Sequence, residues 1–154
     1  GSSYYHLNPN NETLIWDRLP MTIAFTAFIS IVISEFIDDK VGQNFLIPLL
    51  LLGISSIFYW ITTGDLAFYA FIQFYPIVAI PIVLLTFKSK SQPKTGYWLL
   101  IICYILAKLL ETFDHEVHHI SKFISGHPLK HLAAAIGIIL FAFFSVRKNM
   151  LSIR

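Results

Sequence analysis

Histidine is the residue type in this chain best suited to chemistry. Five of the six histidines, His115, His118, His119, His127 and His131, fall within one short stretch. Neutral imidazole is the commonest metal ligand among side chains uncharged near pH 7, so the cluster points to metal, although histidines at a wet interface are also ordinary. Two spacings compete. His115-Glu116-Val117-His118-His119 is a literal H-E-x-x-H, the pattern in which two histidines bind zinc and the glutamate acts as base. Such a site needs a third ligand, often a downstream carboxylate. No Asp or Glu follows Glu116, and Lys122 and Ser125 stand where the extended motif wants Gly and His. The segment therefore reads as a solvated helix end.

The second spacing is His127-Pro128-Leu129-Lys130-His131. Proline suits a first helical turn, where its missing N–H would be unpaired anyway. His127 and His131 then share one face, four residues apart. An apolar run follows directly, and an ionisable group at the mouth of such a run is a functional candidate. Two histidines leave a zinc site short of a nitrogen. His6 can supply it, and Ser2 shares its face if residues 1–6 are helical. Polar Asn8-Pro9-Asn10-Asn11 follows as though closing a helix. Asp17 has two readings: an N-cap, with Pro20 in the first turn, or a working carboxylate.

Composition identifies the elements that must hold these residues. Of 154 residues, 56% are hydrophobic and only 13% charged, and mean hydropathy is +0.67. Soluble domains carry about 25% charged residues, so a soluble globule is excluded, as is disorder. A net charge of +2 is too small for an electrostatic nucleic-acid binder. The lone Cys103 forms neither an internal disulfide nor a multi-cysteine metal site. The expected class is an all-α integral membrane protein, one transmembrane domain over residues 1–154, built as an antiparallel helix bundle. Five stretches approach the ~20 apolar residues a crossing needs: residues 19–37, 45–61, 66–87, 97–113 and 128–146. The breaks between them are short, which makes successive helices antiparallel neighbours. The first carries Thr22, Thr26, Ser30 and Ser34 on one face, a small-residue stripe suited to close helix packing. Pro76 and Pro81 are expected to kink the third.

Orientation follows from the basic residues. Lys40, Lys88, Lys90, Lys94, Arg147, Lys148 and Arg154 fall on one face, and Arg18, Lys122 and Lys130 on the other. The richer face is expected to be cytoplasmic, with the carboxy terminus there. His6, Asp17, His127 and His131 then belong to the non-cytoplasmic face.

Taken together, Ser2-x-x-x-His6, Asp17 within Trp16-Asp17-Arg18-Leu19-Pro20-Met21, and Gly126-His127-x-x-x-His131 resemble the alkaline ceramidase family. That family belongs to the CREST superfamily of membrane hydrolases, with the adiponectin and progestin receptors and the hemolysin III group. Its pattern is Ser-x3-His ending the second helix, Asp opening the third, and His-x3-His in the last. The resemblance implies a seven-helix fold of which this chain holds five full helices and the tail of helix two, so an amino-terminally truncated fragment is expected. It implies that His6, His127 and His131 bind zinc (Zn2+) with a water as fourth ligand. Asp17 would act on that water, and Ser2 would support the oxyanion. The implied activity is zinc-dependent hydrolysis of a membrane lipid amide, ceramide-like, that releases a fatty acid. The alternative is a receptor-like or hemolysin-like protein that keeps zinc without turnover.

The charge asymmetry can be tested directly. In a background with Cys103→Ala, single cysteines at Asn10 and Lys90 should be labelled by impermeant maleimide from opposite sides of a sealed membrane. Labelling of both from one side would refute the orientation.

Overall fold

The computed structural model of the chain describes residues 1–91 and 93–151, with side chains through residue 145. It is all-helical, with no strand among the described residues. Five helices are long and apolar enough to cross a membrane: α2 (Asn11–Phe36), α3 (Asp39–Thr63), α4 (Ala67–Thr86), α5 (Lys94–Thr112) and α7 (Gly126–Leu151). Two short helices join them, α1 (Ser2–Leu7) and α6 (Asp114–Ser121). Packing groups the chain into two compact units, Gly1–Lys90 and Ser91–Arg154.

The helix ends have local causes. Asn10 caps α2: its side chain accepts from the Glu12 and Thr13 N–H groups, each at 2.9 Å, while Thr13 Oγ1 accepts from the Asn10 N–H at 3.1 Å. This reciprocal pair satisfies three donors at the helix start. It also corrects one reading of the sequence. Asp17 and Pro20 lie inside α2, not at its start, so Asp17 is not the cap. Hydropathy marked only the stretch from residue 19, whereas the helix begins at the capping signal eight residues earlier. Asp38 caps α3 through the Val41 N–H at 2.9 Å. Gly64 ends α3 at φ +73, the left-handed conformation glycine adopts without strain. Residues 114–127 were read as a polar break; the structure places α6 within it.

In the first unit α2 packs on α3 along its hydroxyl stripe. Thr22, Thr26 and Ser30 are buried. Thr22 Oγ1 donates to the Leu19 carbonyl at 2.8 Å and Thr26 Oγ1 to that of Thr22 at 2.7 Å. Ser30 Oγ crosses to the Gly42 carbonyl of α3 at 2.8 Å. Glycines on α3 make the approach close. A Cβ at Gly42 would run into the Ser34 backbone, its Cα at 2.7 Å, and one at Gly53 would meet Thr26 Cγ2 at 3.0 Å. The stripe is therefore a packing surface. α4 completes the unit, burying Tyr69, Ile72, Ile80 and Leu84.

In the second unit α5 packs on α7. Tyr97 is buried with its ring edge-on to Phe141, centroids 5.0 Å apart, and a Cβ at Gly137 would come within 2.7 Å of Cys103 Cβ. Cys103 is thus a packing neighbour. Large apolar side chains such as Phe58, Val78 and Leu85 point outward, more than half exposed. Each would forgo roughly 1.5–3 kcal/mol in water, an arrangement suited to lipid.

The α2–α3 seam makes a quantitative forecast. Gly42→Ala should lower stability by about 1–3 kcal/mol, the usual cost of overpacking, seen as a lower Tm in detergent. Ile47→Leu, on an exposed face, should stay within about 0.5 kcal/mol. Equal effects from both would show that the seam is not closely packed.

Candidate functional site

Unit one carries Ser2, His6 and Asp17. α1 is a single helical stretch in which Ser2 and His6 stand four residues apart, on one face. α1 lies against the first half of α2: a Cβ at Gly1 would collide with the Trp16 carbonyl, and Pro20 Cγ would stand 3.2 Å from it. The α2 turn carrying Asp17 therefore sits beside the Ser2 end of α1. Ser2 Oγ is shielded from solvent and has no hydrogen-bond partner among the described residues. The His6 imidazole is exposed, with its ring tilted against Tyr5, centroids 5.0 Å apart.

Unit two carries His127 and His131 in the first turns of α7. Their rings stand edge-to-face with centroids 5.1 Å apart, and each offers a ring nitrogen within 4.8 Å of the other's. Two features not legible in the spacing set this turn. A Cβ at Gly126 would collide with the Leu110 carbonyl, so only glycine lets the start of α7 approach α5 so closely. Asp114 Oδ1 accepts from the His127 backbone N–H at 2.6 Å. That N–H, then a Ser125 side-chain hydrogen bond, hold the half-buried Asp114 carboxyl below its ordinary value. Hydrogen bonds to the charged form favour it. The carboxylate thus stands at the amino-terminal end of α7, where a negative charge is favourable. One turn along, Glu111 receives Lys108 Nζ and Lys130 Nζ, both at 2.7 Å. The lysine between the two histidines is thus held by α5.

The H-E-x-x-H segment forms α6. His115, Glu116, His118 and His119 are all exposed, the solvated helix end expected from the sequence. Within the second unit, the histidines whose ring nitrogens come within 4.8 Å of each other are His127 and His131, not those of α6. Sequence reasoning passed over Asp114 because its partner is thirteen residues away, outside any helical spacing. It passed over Gly126 because its role is set by another helix.

The Asp114 contact has a local consequence. Asp114→Ala should leave the His127 amide to exchange faster with solvent deuterium, while Glu116→Ala on the same short helix should not. Unchanged protection at His127 in Asp114→Ala would show that Asp114 does not anchor this turn.

Comparison with protein-family models, with curated proteins and with solved structures finds nothing that matches this chain.

Proposed function

We propose that this chain is a zinc-dependent, ceramidase-like intramembrane hydrolase of lipid amides, built on an antiparallel bundle of the seven-helix type. The observation that carries the reading is the His127–His131 pair, two facing imidazoles at the head of an apolar helix long enough to cross a membrane. His6, on the same face of α1 as Ser2, is the proposed third nitrogen. Three neutral imidazoles fit catalytic zinc, which takes three protein ligands and keeps an open position. When bound, zinc supplies Lewis acidity and brings the pKa of a coordinated water to about 7.

The rest is work for the chain's own side chains. Hydrolysis places a water oxygen on the acyl carbon, breaks the C–N bond and delivers a proton to the leaving amine. Asp17 is free of capping duty, because Asn10 caps α2. Its carboxylate takes the proton from the water and hands it to the amine, a transfer that contributes about 10²–10⁴-fold in rate. Ser2 Oγ, a shielded donor without a partner among the described residues, suits a developing oxyanion. One such donor is worth about 2.7–4 kcal/mol in other hydrolases. The charge asymmetry supports a place for this chemistry near the non-cytoplasmic face of a multi-pass protein. There a lipid amide presents its polar head while its tails stay in hydrocarbon.

The test uses purified protein in bilayer discs, with zinc content and fatty-acid release from ceramide measured in parallel. His6→Ala, His127→Ala and His131→Ala should lose zinc, and His115→Ala, His118→Ala and His119→Ala should keep it. Asp17→Asn should keep zinc and lose turnover by about 10²–10⁴-fold. Zinc lost with His115→Ala yet kept with His127→Ala would overturn the ligand assignment. Zinc retained with no fatty-acid release from the parent protein would favour the receptor-like alternative.

A further inference from the structure

We propose that Arg18 is a binding residue for an anionic oxygen group, a carboxylate or phosphate, carried by a lipid at the membrane surface. Arg18 projects from α2, and its guanidinium carbon lies 4.2 Å from the Trp60 ring centroid, on α3, and 4.9 Å from that of Tyr69, on α4. Three helices of one unit thus converge on a single cation. The two rings attract it through their π faces and hold its orientation. They are neutral, so the charge is undiminished.

Nothing else in the unit neutralises it. Arginine stays protonated under all ordinary conditions. Arg18 is in neither the Lys108–Glu111 nor the Lys130–Glu111 ion pair. Asp17 is its neighbour in sequence, but adjacent residues on a helix do not face one another. Nη1 is shielded from solvent and has no hydrogen-bond partner among the described residues. A charged donor shielded from water and left unpaired is costly, more so than a neutral one. The side chain as a whole is only partly buried, which leaves part of it open to an anion. The guanidinium fork matches carboxylate and phosphate geometry and can take two oxygens at once.

The setting argues for a lipid as the bearer of the anion. Trp60 lies near the end of apolar α3 and Tyr69 near the start of apolar α4. Trp16, two residues before Arg18, is more than half exposed. Trp and Tyr with an arginine mark the level where headgroups meet hydrocarbon. A lipid acid puts its charge at this level and its chain along the helices. The site does not depend on the zinc reading: it lies wholly within unit one and uses none of the three histidines.

The test follows Trp60 fluorescence in the full chain carrying Trp16→Phe and Trp98→Phe, in maltoside micelles. The probes are dodecyl phosphate, laurate, inorganic phosphate and dodecanol. Dodecyl phosphate and laurate should change the emission saturably, and dodecanol should not. Arg18→Gln should raise the Kd for dodecyl phosphate at least about tenfold, the scale of one charge-assisted hydrogen bond. Arg18→Lys should weaken it less, and Lys40→Gln should leave it unchanged. If inorganic phosphate binds as tightly as dodecyl phosphate, the anion site stands but its ligand is a soluble ion, which overturns the lipid assignment. Equal binding by Arg18→Gln overturns the proposal. If Arg18→Gln does not fold, competition in the parent decides: displacement of dodecyl phosphate by laurate supports it, and displacement by dodecanol overturns it.

Discussion

Hydrocarbon offers no partner to a peptide N–H or C=O, and the rest of this structure depends on that constraint. Every spanning segment must satisfy its own backbone, so all five apolar stretches are helices. The same constraint explains the hydroxyls of α2. Thr22 and Thr26 return their protons to carbonyls one turn back, which leaves no polar atom seeking water. The hydrophobic effect does not drive helices together in lipid, so close contact must. The glycines at 42, 53 and 137 supply it.

The candidate polar side chains gather toward the first turns of helices rather than their middles. Ser2, His6 and Asp17 stand at the start of unit one, and His127 and His131 at the start of α7. The first turns of α7 are supported by neighbours in the second unit. The backbone of His127 is tied to Asp114, and Lys130 to Glu111. A side chain in such a turn starts from a fixed backbone, which lowers the entropy cost of any binding it takes part in. Arg18 is the contrasting case: its rings hold it in place but leave its charge uncompensated.

Two arrangements of histidine illustrate how identical spacing separates by context. His115 and His119 share a helix face as His127 and His131 do. α6 is short, polar and exposed, whereas α7 continues into an apolar span. The second pair has its rings edge-to-face, centroids 5.1 Å apart. An i,i+4 spacing is a necessary condition for ligation by one helix; what surrounds the helix supplies the rest.

The amino-acid sequence alone determined the class, the five long helices to within a few residues at most ends, and the His127–His131 pairing. Hydropathy and helical period are local properties, readable over twenty residues at a time. It misjudged the start of α2, because a cap is a matter of side-chain hydrogen bonds and not of hydropathy. Thus Asp17, taken alone, reads more readily as a cap, a role that Asn10 fills. Tertiary structure alone decided that Asp114 secures the His127 turn, that Gly126 clears the Leu110 carbonyl, and that Trp60 and Tyr69 close on Arg18. These contacts join residues on different helices, and no periodicity within one helix encodes which side chain of another will meet it.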